Sequence, residues 1–370
     1  MCILSYQIDH EQMRGRNMKR CTQAGLITAG AAIAAGQLIS NKIYKDVFFK
    51  RSGERDCPWE KGFDEFPNLK RRKGIFPTSD DITLVGYFYY DRLSVRPIPE
   101  SKGIIILAPG FLQSHKDYLS DIDAFVKAGF VVFAYDNMGC YESGGSRILG
   151  IDQAVVDLRN AISYVEDVSR CMVPICLYGH SMGAYACASV LGEGFRIRSV
   201  VLRSGFYSPV LMIHDVLHRL YGFGACALVP FTVSYRTFLF GKDAWKCAVR
   251  EIRKFEGRVL ILHSEDDPVV SLKHSIYGKK KKFLRKETIY TRMYFGKGHD
   301  IVRDDRAMRY YFEKEAERKM LTEEYGGIDF VPAEKIDEFY RKIDKKRANL
   351  YDAEVMEKIV RFFQLTCEEK

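Results

Sequence analysis

Ser181, Asp267 and His299 are the residues on which this sequence could build covalent chemistry. A serine hydroxyl is a weak nucleophile until a base takes its proton, and the base works best when a carboxylate orients it. Ser181 stands in Gly179-His180-Ser181-Met182-Gly183, the G-x-S-x-G pattern that can set a nucleophile on a sharp turn between strand and helix. Alone the pattern is weak, because glycine is common and a tight turn with an inert serine reads the same way. The context sharpens it. An apolar run ends at Tyr178 and a helical pattern opens at Ser181, so the serine falls at a helix N-terminus, which favours developing negative charge.

The acid and the base follow downstream. The apolar run Val259 to His263 leads into Ser264-Glu265-Asp266-Asp267-Pro268-Val269-Val270. Asp267 sits where a carboxylate at a strand's C-terminal end would face the site; Glu265 and Asp266 are neighbours that could take the same part. Met293-Tyr294-Phe295 then runs into Gly296-Lys297-Gly298-His299-Asp300, which puts His299 in a glycine-bearing loop after a strand. His115, His263 and His274 lack this setting and read as surface or satisfied core histidines. Backbone donors must also meet the oxyanion. The N–H of Met182, next after the serine, is one candidate. The N–H of Phe111 is the other, in the loop Ala108-Pro109-Gly110-Phe111 that follows the apolar run Gly103 to Leu107.

Elements to hold these residues are visible as short apolar runs. Ile82 to Tyr90 alternates, whereas 103–107, 130–135, 173–178, 199–202 and 259–263 are continuous, as expected of parallel strands buried on both faces. Helical patterns at 117–128, 153–168 and 181–191 lie between them. Strands alternating with helices predict an α/β fold with a mostly parallel central sheet flanked by helices. An aromatic and aliphatic stretch at about 205–255 interrupts the rhythm between two core strands, where a lid insertion is expected. A charged stretch, 304–350, precedes a C-terminal helix at 352–365. The hydrolase domain is accordingly expected over 78–370.

Composition is that of an ordinary globular chain: 370 residues, 47% hydrophobic and 28% charged. The formal net charge of +9 includes the runs Lys70-Arg71-Arg72-Lys73 and Lys279-Lys280-Lys281-Lys282, read first as solvated faces or loop tips and second as attractors of anionic headgroups or substrates. Zinc-finger spacing, basic heptads and an RNA-binding aromatic signature are all missing, which argues against a nucleic-acid partner. The ten cysteines are scattered with no C-x-x-C pair, favouring reduced thiols and a cytosolic domain. No cofactor or metal is called for, and nothing specifies an oligomeric state.

Before the domain come a basic segment (1–23), an uncharged stretch (24–40) and a connecting segment (41–77). Arg14, Arg16, Lys19 and Arg20 followed by an apolar run is the layout of a membrane anchor or signal. The run falls short of the roughly 20 residues a spanning helix needs, so a helix packed on the domain or lying on a membrane surface is the competing reading. Lys42, Lys45, Lys50 and Arg51 follow it, and flanks of equal charge give no orientation.

Together these motifs resemble the α/β-hydrolase superfamily, in particular its monoacylglycerol-lipase-like, lysophospholipase-like and serine aminopeptidase-like branch. The elbow at 179–183 matches, His263 to Val270 resembles the branch's H-G-x-x-D-x-x-V, and Gly298-His299 resembles its G-H. The sequence departs from the branch at Ala108-Pro109, Ala184, Ser264, Ser271 and along 136–143, without losing a catalytic group. The resemblance implies a serine hydrolase acting on a small, apolar acyl substrate, with ester cleavage ahead of exopeptidase, thioesterase or acyltransferase activity. An interaction protein of the same fold would be expected to have lost part of the triad.

Overall fold

The computed structural model describes residues 28–53, 61–78, 82–283, 286–327 and 330–368. The basic segment 1–23 and positions 24–27 of the uncharged stretch lie outside the described residues. Strands β1 (Leu69–Pro77), β2 (Thr83–Asp91), β3 (Ile104–Ala108), β4 (Val131–Tyr135), β5 (Ile175–His180), β6 (Ile197–Arg203), β7 (Arg258–Ser264) and β8 (Ile289–Tyr294) form one sheet. Their spatial order is β1-β2-β4-β3-β5-β6-β7-β8. β1 and β2 run antiparallel to their neighbours, and β3 to β8 are parallel.

The continuous apolar runs become the central strands for the reason expected: β3, β4 and β5 are buried at every residue. Alternate side chains feed two cores. Ile104 and Ile106 face a layer that includes helices Gln153–Ser169 and Met182–Val190. Ile105 and Leu107 face helices Leu119–Lys127 and Ala353–Glu368. The connection leaves β3 to one side for β4 and returns to its other side for β5. The order thus reverses next to β3, and open α/β sheets bind ligands at such a switch point, outside the strands' carboxyl ends.

The two basic runs and the uncharged stretch can now be placed. Of the two readings of Lys70-Arg71-Arg72-Lys73, solvated face or loop tip, the first holds: the run lies in the first half of β1, an edge strand paired with β2 along its full length. Basic side chains blunt an exposed sheet edge, and the guanidinium of Arg71 lies 4.5 Å from the ring centroids of both Phe63 and Tyr87. The other run, Lys279 to Lys282, is a solvated turn as read.

The uncharged stretch does not stop at 40. A single helix covers 28–48 and carries the first part of the expected connecting segment. No helix among the described residues is long and apolar enough to cross a membrane. The helix packs on the domain through its second half: Ser40 Oγ lies 2.9 Å from Thr232 Oγ1, Gln37 Nε2 donates to Phe231 O (3.0 Å), and Tyr44 and Phe48 are buried. The reading of 24–40 as a spanning anchor therefore gives way, over its described part, to a packed helix.

Residues 205–255 form helices Pro209–Tyr221, Val229–Phe240 and Ala248–Lys254 between β6 and β7. The charged stretch after β8 folds as helices Asp305–Glu324 and Ala333–Arg341 around a small core of their own that includes Tyr310 and Phe339.

Candidate active site

Ser181 lies between β5 and the helix Met182–Val190 with φ 55° and ψ −116°, a backbone conformation that strains any residue with a β-carbon. Two glycines make the turn feasible. A Cβ on Gly179 would come within 2.5 Å of Gly183 O, and one on Gly183 within 2.0 Å of Ala108 O. The helix start is thereby pressed, at Gly183, against Ala108 and Pro109, where β3 passes into the loop carrying Phe111. Ser181 N–H donates to Arg203 O (2.9 Å), fixing the turn to β6.

His299 follows β8 in the predicted loop, with Gly296 and Gly298 at φ 70° and 57°. Its Nδ1 lies 2.8 Å from Asp267 Oδ2 and 3.0 Å from Oδ1. Asp267 is buried and also accepts the N–H groups of Val269 (2.8 Å) and Val270 (2.9 Å). Glu265 and Asp266 are exposed. Asp266 instead accepts from Ser264 Oγ (2.5 Å) and the N–H of Gly298 (3.3 Å), which braces the histidine loop. Among the three neighbouring carboxylates, Asp267 is the one on the imidazole. The ring of His299 stands 4.9 Å, centroid to centroid, from that of His180, the residue before Ser181.

Several supporting residues gave no signal in the sequence. Tyr118 Oη accepts the N–H of Gly110 (2.9 Å) and lies 2.9 Å from His180 Nδ1, tying the Phe111 loop to the serine turn. Ser204 Oγ donates to His299 O (2.8 Å). Behind it the buried Arg203 donates to Asp300 Oδ1 (2.8 Å). Burial alone would raise the Asp300 carboxyl, but Arg203 and Arg303 outweigh it and hold the group well below the usual carboxylate range. Burial, helped by Arg203 and His299, pushes His180 far down and leaves it neutral.

The other histidines divide. His115 is buried with Nδ1 2.9 Å from Asp136 while its Nε2 has no hydrogen-bond partner among the described residues, and His274 is paired with Asp215 (2.6 Å). His263 is buried with Nδ1 3.9 Å from Asp267 Oδ2, beside the acid rather than remote from it. The helical insertion reaches the same loop: Arg219 donates to Pro268 O (2.9 Å) and Val269 O (3.1 Å). No cluster of three metal-ligating side chains occurs among the described residues. All described cysteines are free thiols.

Residues 99–226, from just before β3 into the insertion, match the family model described as serine aminopeptidase, S33. The chain has the α/β-hydrolase fold. Among solved α/β-hydrolase-like structures, the esterase Pf2001 of Pyrococcus furiosus superposes with a TM-score of 0.52 at 16% identity, covering 74% of this chain and 96% of that one. The acylaminoacyl peptidase of Pyrococcus horikoshii gives 0.48 at 12% identity, over 64% of this chain and 38% of that one. The α/β hydrolase GrgF of Penicillium sp. sh18 gives 0.43 at 17% identity, over 68% and 96%. No curated protein matches the sequence.

Proposed function

We propose that this chain is a serine hydrolase that cleaves a carboxylic ester of an apolar acyl group through an acyl-enzyme on Ser181. The observation that carries the reading is the His299–Asp267 pair beside the strained serine turn. In the first half-reaction Ser181 Oγ attacks the ester carbonyl while His299 Nε2 takes its proton. Asp267 holds Nδ1–H and stabilises the imidazolium that forms. The N–H groups of Met182 and Phe111 receive the oxyanion. Collapse expels the alcohol, which leaves with the proton from His299. In the second half a water gives its proton to His299 and attacks the acyl carbon, releasing the acid and restoring Ser181.

An exopeptidase needs a carboxylate to meet the substrate's free amine. Between 205 and 245 the only acids are Asp215 and Asp243. Asp215 is engaged by His274, and Asp243 by Arg159 at 3.0 Å, so ester cleavage is favoured. The apolar side chains of the insertion, acting as a lid, suit an aliphatic acyl chain.

Rates on p-nitrophenyl esters of rising chain length, set beside an aminoacyl-nitroanilide, test this. The esters should be cleaved faster, with the optimum beyond acetate. Faster release from the nitroanilide would assign the site to peptides.

A further inference from the structure

The helix 28–48 has two unlike halves. From Gln37 onward it is tied to the insertion, with Ser40 also donating to Leu228 O (3.3 Å) and Gly36 pressed against the ring of Phe231. Residues 29–35 are exposed to solvent, and no charged side chain occurs from 28 to 41. Leu38 is 70% exposed, and Ile33 and Ile39 are more than half exposed. The elements the helix docks on carry large exposed apolar groups as well. Phe223 is 82% and Phe238 81% exposed, and Phe238 stacks on Tyr235, itself in contact with Tyr44 and Lys45 of the helix. Large exposed apolar side chains gathered on adjoining elements mark a docking face.

Charge decides what docks there. Between 28 and 51 the chain has four basic residues, Lys42, Lys45, Lys50 and Arg51, against the single acid Asp46. The sequence carries no charged side chain from 21 to 41, and no helix among the described residues is long and apolar enough to cross a membrane. An uncharged helix surface bordered by cations and large aromatic side chains suits the plane of an anionic membrane surface. The far end of the helix meets the candidate site: the Phe48 ring lies 6.2 Å from that of Phe111. One rigid element thus joins the exposed apolar end to the oxyanion loop.

We propose that the exposed end of this helix, together with Phe223 and Phe238, seats the protein on an anionic lipid bilayer, from which the apolar ester enters the site. The route of the substrate rests on the ester-hydrolase reading; the docking itself does not.

The test is flotation of the full chain with vesicles of equal parts phosphatidylglycerol and phosphatidylcholine, beside vesicles of phosphatidylcholine alone. The unchanged chain should float with the anionic vesicles and much less with the neutral ones. The double variant Leu38→Glu, Ile39→Glu should lose about tenfold or more of that binding, since each change replaces apolar contact with a charge repelled by the surface. Leu93→Glu with Val95→Glu, also exposed but before β3, should bind as the unchanged chain does. Hydrolysis of soluble p-nitrophenyl acetate should be the same in all three. No flotation of the unchanged chain, or equal flotation of the Leu38/Ile39 variant, overturns the proposal. A dimer that this variant breaks, without vesicle binding, assigns the face to a second copy and also overturns it. If flotation holds but no ester is cleaved, the catalytic reading fails and the docking face stands.

Discussion

Asp267 holds three donors at once, His299 Nδ1 and the N–H groups of Val269 and Val270, and this distinguishes it from the two carboxylates before it. An amide at 267 would turn an N–H toward one of those donors and disturb the imidazole's tautomer and orientation. Asp267→Asn should lower kcat/KM on a soluble ester by about 10⁴-fold. Asp266→Asn keeps an acceptor for Ser264 and Gly298 and should cost less than about tenfold. The reverse ranking would move the acid to 266. The strand-to-helix turn at Ser181 and the pairing of Asp267 with His299 were legible because residue type, chain order and strand-end position carry their meaning. Tyr118, Arg203 and Asp300 were not, because their meaning depends on which strand ends lie side by side. Arg203 reads as one more basic residue until β6 and the loop after β8 bring it to Asp300.

At the scale of elements, the insertion is fastened to the domain by a buried fork. Arg236, on the helix Val229–Phe240, donates from Nε and one NH2 group to the two oxygens of Asp152, both at 2.7 Å, with no exposure of either side chain. Arg236→Met would leave that carboxylate buried and unpaired. Such a loss costs about 3–5 kcal/mol, which should appear as a lower denaturant midpoint. Arg236→Met with Asp152→Asn should recover part of it; a variant as stable as the parent would mean that the fork anchors nothing. The central strands could be read directly from their apolar runs, since burial on both faces leaves no polar positions. β1 could not: it is an edge strand with Lys70, Arg72 and Lys73 exposed and Arg71 laid over Phe63 and Tyr87, and four basic residues in a row hide the alternation of a strand. The helix 28–48, read from the sequence as either an anchor or a packed helix, was left open for a related reason. Its uncharged half resembles an anchor, while the docked half owes its burial to residues nearly two hundred positions away.

Across the whole molecule, the buried acid Asp157 should contribute its own pH dependence to stability. Burial pushes the Asp157 carboxyl from its ordinary 3.8 up to about 7, against the opposing hydrogen bonds of Gln153 and the Met138 N–H. Between these values the unfolded chain has released the proton while the folded chain keeps it. Folding is therefore opposed progressively as pH rises from about 4 to 7, by up to about 4 kcal/mol, and no further above that. Asp157→Asn should flatten this slope in denaturation measured across that range; an unchanged slope would assign it to other groups. The larger claim is that a fold readable from its alternating strands and helices presents one reactive serine at the switch point of its sheet. Labelling the full chain with a fluorophosphonate measures that most directly. The account predicts one covalent adduct, on Ser181, and none on Ser181→Ala; an adduct of equal yield on the Ser181→Ala chain would contradict it.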